Sequence, residues 1–159
     1  MKGLRRFRAL PAADRRALAR ALATVAAIRL ALWMLPFRVI RPAIGRITRR
    51  PRGAGADGED ARRIAWAVMA AAARVPRATC LTQALAAQVL LARIGERAHL
   101  RLGVVRNRDA PALAHAWLEH RGQVLVGGAW MDRYMPLPFL DGQAAPAYPV
   151  SGSSHPGGE

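Results

Sequence analysis

The hydrophobic pattern of this 159-residue chain changes its period once, at Gly95, and this change limits the folds that the chain can adopt. Before Gly95, apolar residues recur every three or four positions, which indicates helices that are buried along one side. From residue 99 to 104, apolar residues alternate with polar or small ones, which indicates a half-buried strand. The order predicts an α+β fold in which helices precede a small antiparallel sheet.

Local signals place three helices and three strands along the chain. The predicted helices cover about 14–35, 60–74 and 80–94, the last beginning at Cys80 behind Thr79 as its capping residue. The predicted strands cover about 99–104, 112–119 and 123–127, and a tight turn at Arg121 and Gly122 joins the last two.

A stretch rich in Gly, Arg and Pro divides the chain. We predict a basic amphipathic helical region over 1–47, a flexible linker over 48–59, a compact core over 60–142 and a disordered tail over 143–159. The start of the chain lacks the combined features of a secretory signal, so we expect a cytoplasmic protein.

The positive charge is concentrated in the N-terminal third. Residues 1–53 hold 14 of the 25 Lys and Arg and one of the ten acidic residues, a net charge of +13, and the remainder carries +2. This favours a peripheral location at the inner membrane, with an anionic membrane surface as a partner. No aromatic residues interleave with the basic ones in a pattern suited to nucleic acid, so we expect no nucleic-acid partner.

The first helix carries an apolar stripe made of Leu18, Leu22, Val25, Ile28, Leu32 and Leu35. Arg29 interrupts its apolar run, and a central Arg disfavours membrane insertion by about 2.5–3.5 kcal/mol. We therefore expect this helix to lie at an interface, or to pack on the core or on a partner protein.

The only cysteine, Cys80, falls in the first turn of the third helix. A single Cys excludes an internal disulfide and a Cys-based zinc cluster. Unpaired amides and the helix dipole at that position favour a thiolate, and His115 on a following strand is a candidate base. A buried core Cys and an ordinary hydrogen-bonded strand His fit the same pattern. We predict no cofactor and no metal, with His99 and His120 exposed to solvent.

Residues 76–86, 102–104 and 114–119, with Gly122 closing the hairpin, resemble the transglutaminase-like core of the lasso-peptide maturation proteases called B proteins. The resemblance covers about residues 60–128, and the basic helix that ends at 35–38 also resembles the N-terminal region of that family. It implies a papain-like cysteine peptidase with Cys80 as nucleophile and His115 as base.

The resemblance also implies a substrate and partners. In that family the peptidase removes the leader from a ribosomally made precursor peptide, after which a separate asparagine-synthetase-like, ATP-dependent cyclase closes the ring. Residues 1–59 predict a helix and a linker where a fused protein carries a winged-helix leader-recognition module. We therefore expect the stand-alone peptidase half, which acts with a separate leader-recognition protein.

One position departs from the family pattern. An Asp usually lies about twelve residues after the His, and here that residue is Gly127. A hairpin turning at Arg121 and Gly122 predicts that residue 115 faces residue 128. The group that orients His115 is then a backbone carbonyl, Asp132 or nothing, and the alternatives to an efficient peptidase are a slow enzyme or a non-catalytic scaffold.

Two neighbours of the candidate pair also allow two interpretations each. Gln83 lies one helical turn after Cys80, where it either assists an oxyanion or is an ordinary surface residue. Trp117 shares a strand face with His115 and either walls the site or fills the core.

Overall fold

The computed structural model describes residues 7, 9–48, 58–105, 114–128 and 134–136, in which four helices precede a four-stranded sheet. The helices are α1 (Ala12–Met34), α2 (Phe37–Thr48), α3 (Gly58–Ala72) and α4 (Cys80–Arg93). The strands are β1 (His99–Val105), β2 (Ala114–His120), β3 (Gln123–Val126) and β4 (Tyr134–Pro136). They pair antiparallel in the order β3-β2-β1-β4, which confirms the predicted α+β arrangement.

Helix α4 is the centre of the fold, because it packs against the other three helices and against the sheet. Leu85 and Leu91 of α4 are fully buried with Leu118 and Val126, which cover one face of the sheet. The core cluster that they form extends through α3 into α1 and α2. Residues 49–57 and 137–159 lie outside the described residues, so the linker predicted over 48–59 and the tail predicted over 143–159 stay predictions.

The buried face of α1 differs from the predicted stripe at two positions. Leu18, Val25 and Ile28 are buried as expected, but Leu22 and Leu35 are exposed. The stripe is completed by Ala21, which is fully buried, and its small side chain allows α1 to approach the helices beneath it closely. Leu22 therefore points away from the core.

Helix α2 was not predicted, because Pro42 indicates a break in a helical pattern. Leu35 is extended, as expected before a proline, and ends α1. The carbonyl of Pro36 then accepts the first backbone bonds of a new helix. Ile40 and Ile44 are buried one turn apart, and their burial holds α2 on α4 despite the internal proline.

The hairpin between β2 and β3 forms at the predicted turn. Arg121 and Gly122 both have positive φ angles, 49° and 76°, as a two-residue type I′ turn requires. The predicted register holds at the turn, where Glu119 faces Val124. It is wrong farther along, because a bulge makes Leu118 face Val126, one residue beyond the predicted partner.

A pair of matched leucines tests whether α1 is part of the core. Leu18 is 9% exposed and Leu22, one turn later, is 40% exposed. We expect Leu18→Ala to lower the free energy of unfolding by about 2 kcal/mol or more, and Leu22→Ala by less than about 1 kcal/mol. Urea denaturation measures both, and equal effects would mean that α1 does not pack as described.

Candidate active site

The N-terminus of α4 is closed by a reciprocal pair of side-chain hydrogen bonds. Thr79 is extended, its hydroxyl accepts a bond from the amide of Thr82, and the hydroxyl of Thr82 accepts a bond from the amide of Thr79. Thr82 is fully buried, so this capping box is fixed from below by the core. Cys80 is therefore the first residue of a helix whose start is defined by its side chains.

Cys80 lies where a helix favours negative charge. It is half-buried and packs against the core cluster. The capping box engages the amides of Thr79 and Thr82, and the amide of Gln83 begins the helical pattern by donating to the carbonyl of Thr79. Helix geometry provides no partner for the amides of Cys80 and Leu81. These two donors and the helix dipole can stabilise an anion beside the thiol.

Helix α4 and strand β2 are joined at the end that lies away from Cys80. The carboxylate of Glu96, just beyond α4, lies 2.7 Å from Nε2 of His120 and 2.9 Å from Nη2 of Arg121. Helix and strand are each about 20 Å long, and they pack against one another. We infer that Cys80 and the start of β2, where His115 lies, are at the same end of this pair.

The prediction that His120 is exposed is wrong. His120 is 5% exposed and its partner Glu96 is 6% exposed, so this hydrogen-bonded pair is buried at one end of the fold, and Arg121 reaches Glu96 from the surface. The strand pattern contained the signal, because His120 follows Ala116 and Leu118 at intervals of two. His99 was also predicted to be exposed, and it is half-buried opposite Glu119.

His115 is oriented by a backbone carbonyl. Its Nε2 lies 2.7 Å from the carbonyl oxygen of Gly127, the residue at which the resemblance leads us to expect an Asp. A carbonyl oxygen only accepts hydrogen bonds, so the neutral ring carries its proton on Nε2 and the lone pair on Nδ1. Of the orienting groups left open by the sequence, the carbonyl is the one observed, and Asp132 lies outside the described residues.

Gly127 is required at its position by the backbone. Its φ angle is +82°, and a Cβ built there would lie 2.6 Å from the carbonyl oxygen of Ala116. Any larger residue would be strained by its φ angle and would also collide with β2. An Asp cannot occupy this position in this conformation, and the bulged hairpin presents the carbonyl in its place.

A buried polar cluster lies on the same strand face as His115. The Trp117 ring stacks against the His115 ring, with centroids 6.3 Å apart and planes inclined by 23°. Trp117 is 1% exposed, and its indole N–H donates to Glu119, which also accepts from Arg101. Trp117 thus fills the interior and also forms a wall beside the imidazole. Glu119 bonds to these two partners at its end of the strand, about 13 Å from the position of His115.

The opposite face of β2 is turned towards the helices. Ala116 and Leu118 belong to the core cluster that includes α4, while His115 and Trp117 leave the strand on the other side. The small side chain of Ala116 allows the helix to lie close to the strand. Gln83 lies in the first turn of α4 and is half-buried.

Comparison with known families supports the fold. Residues 22–138 match the family model of the transglutaminase-like superfamily. The chain belongs to this superfamily. The match begins within α1 and ends after β4, so it includes both the N-terminal helices and the sheet. No curated protein and no solved structure matched the chain. Membership of this superfamily is compatible with cysteine peptidase and transglutaminase chemistry.

Two glycines with similar backbone angles test the close approach at Gly127. At Gly122, φ is +76° and an added Cβ meets no described atom within 4 Å. We expect Gly122→Ala to cost about 1–2 kcal/mol of unfolding free energy, and Gly127→Ala to cost about 1–3 kcal/mol more through overpacking. Chemical denaturation of both variants measures the difference, and equal losses would contradict the contact with Ala116.

Proposed function

We propose that the chain is a cysteine peptidase that removes the leader from a ribosomally made lasso-peptide precursor, with Cys80 as nucleophile and His115 as base. The observation that carries the proposal is the bond from His115 to the Gly127 carbonyl. It sets the tautomer that a general base needs and occurs at the family's Asp position. The resemblance of residues 76–86 and 114–119 to the B proteins supports the choice of substrate.

The reaction follows from the roles of the described groups. Nδ1 of His115 takes the proton of Cys80, and the sulfur attacks the carbonyl carbon of the scissile peptide bond. The amides of Cys80 and Leu81 stabilise the oxyanion that forms. The intermediate collapses to a thioester, and the leaving amine takes the proton from Nδ1. A water molecule that gives its proton to His115 then hydrolyses the thioester, releasing the leader carboxylate and regenerating the thiol.

A carbonyl in place of a carboxylate changes the expected efficiency. Replacing the triad Asp by Asn in a serine protease costs about 10⁴ in turnover, mainly because the base adopts the wrong tautomer. The Gly127 carbonyl accepts a hydrogen bond from Nε2 as an Asp carboxylate does, so His115 keeps the tautomer that a base needs. What is lost is the negative charge that stabilises the imidazolium, and we expect a smaller penalty than the Asn substitution imposes.

The pairing has one geometric requirement. Because α4 packs on the Ala116 face of β2, the imidazole and the thiol must meet across the end of the strand. Ala114 at that end is exposed and small. The site would therefore open at the N-terminal end of β2, where an extended precursor peptide has access.

The proposed assembly has three further members. A separate leader-recognition protein delivers the precursor peptide, and an asparagine-synthetase-like cyclase consumes the freed core peptide. This division of labour is what the resemblance implies, and the described residues before α3 form helices. Such a peptidase is expected to work slowly without its partners.

Thiol reactivity tests the Cys80–His115 pair without a substrate. Cys80 is the only cysteine, so all alkylation by iodoacetamide reports on it. In mildly acidic buffer we expect His115→Ala to slow alkylation by about tenfold or more, because thiolate is the reactive form. His99→Ala is the matched control on the neighbouring strand and should react like the wild type. Equal rates in all three proteins would exclude the pairing.

Leader cleavage tests the function itself. With the precursor peptide and the leader-recognition protein present, we expect Cys80→Ala to abolish release of the leader, as followed by mass spectrometry. Thr24→Ala, a change on α1 at a hydroxyl that only bonds within its own helix, is a suitable control and should cleave normally. Undiminished cleavage by Cys80→Ala would end the proposal.

A non-catalytic scaffold is the second candidate, favoured by the missing carboxylate at residue 127. It predicts that alkylation of Cys80 is insensitive to His115→Ala and that Cys80→Ala still supports maturation of the precursor by its partners. The two experiments above separate the two candidates.

A further inference from the structure

The outer face of α1 is apolar over its last two turns, although the inner face already supplies the core. Leu30 is 53% exposed, Trp33 74% and Met34 68%, all in the last two turns of the helix. By length and composition, α1 is the one helix in the described residues that could cross a membrane. An apolar helix surface is normally covered, and no described residue covers these three side chains.

Helix α2, which follows α1 directly in the chain, also carries exposed apolar and basic side chains. Val39 and Ile47 are exposed, and they lie two turns apart on one row of α2. Arg38 and Arg46 are exposed on the adjacent row. Arg41 is exposed as well. Side chains of this kind cover apolar surface with their stems and keep the guanidinium in water.

Among the described residues, neither the last two turns of α1 nor α2 contains an acidic side chain. Asp14, the only acid in residues 1–53, lies near the other end of α1, and its carboxylate is 3.0 Å from Arg63 of α3. The sequence continues after α2 with three further basic residues, Arg49, Arg50 and Arg52. The surface therefore combines exposed apolar side chains with uncompensated positive charge.

We propose that this surface binds an anionic lipid bilayer, with the ends of α1 and α2 lying in the plane of the headgroups. The basic apolar surface consists of Leu30, Trp33, Met34, Val39 and Ile47 with Arg38, Arg41 and Arg46. An exposed Trp beside apolar and Arg side chains is the composition of helices that lie at a membrane interface. The positive charge complements anionic headgroups.

While the fold is intact, the packing of α1 on the core prevents this helix from crossing the membrane. Its inner residues Leu18, Val25 and Ile28 are buried against the core. Insertion would remove them from the core and would break the pair between Asp14 and Arg63. Binding in the interface leaves these contacts in place and uses only the outer face.

Vesicle flotation of the full chain tests the proposal. We expect binding to phosphatidylcholine vesicles that contain phosphatidylglycerol, little binding to phosphatidylcholine alone, and weaker binding as salt is raised. Near a charged membrane each Arg contributes about 1 kcal/mol, or about fivefold in partitioning. The triple variant Arg38→Gln, Arg41→Gln, Arg46→Gln should therefore lose about a hundredfold.

Matched variants separate this surface from general charge and hydrophobicity. Trp33→Ser with Met34→Ser should also weaken binding strongly, and both side chains are exposed, so the fold should survive. The controls are Trp66→Ser, at an exposed Trp of α3, and the triple change Arg62→Gln, Arg93→Gln, Arg97→Gln at exposed positions on the rest of the fold. These controls should bind like the wild type.

Three results would overturn the proposal. The first is no binding to anionic vesicles at low salt, and the second is an equal loss of binding in the control variants. The third is a wild-type chain that does not bind vesicles but forms a dimer, together with a Trp33→Ser, Met34→Ser variant that is monomeric. That result would assign the surface to a second copy of the chain. Peptidase activity does not enter these measurements, so their outcome is independent of the proposed function.

Discussion

The packing of α4 against β2 is the constraint on which the rest of the structure depends. It buries the centre of the core and fixes the positions of both candidate catalytic residues, one at the start of the helix and one near the start of the strand. Small residues such as Ala116 allow the close approach. At the far end, Glu96 holds His120 and Arg121, and a buried carboxylate is stable there only because both partners are present. These contacts, away from the site, thus join the end of the helix to the end of the strand.

The site depends on the backbone as much as on side chains. The bulge in β3 moves the chain by one residue, and Gly127 then turns its carbonyl towards His115. His115 therefore has an orienting group although residue 127 has no carboxylate. This distinction matters for the transglutaminase-like superfamily, because a missing acid in a sequence does not by itself indicate a lost base.

Features set by neighbouring residues could be predicted from the sequence. The start of α4 at Cys80, its end near Gly95 and the turn at Arg121 were all placed correctly, because capping and turn preferences act within a few residues. Features set by distant contacts could not. The Glu96–His120 pair joins residues 24 apart, and α2 forms because the core buries Ile40 and Ile44 in spite of Pro42. The sequence could not show that the carbonyl of Gly127 orients His115, because every residue has a backbone carbonyl.

The tautomer of His115 is the most direct test of the account. Two-bond nitrogen–proton correlation spectra of the Cys80→Ala variant in alkaline buffer, where imidazole is neutral, distinguish the two ring nitrogens. The account predicts a proton on Nε2, held by the Gly127 carbonyl, and an unprotonated Nδ1. A ring that carries its proton on Nδ1 would contradict both the hydrogen bond to Gly127 and the proposed role of His115 as the base for Cys80.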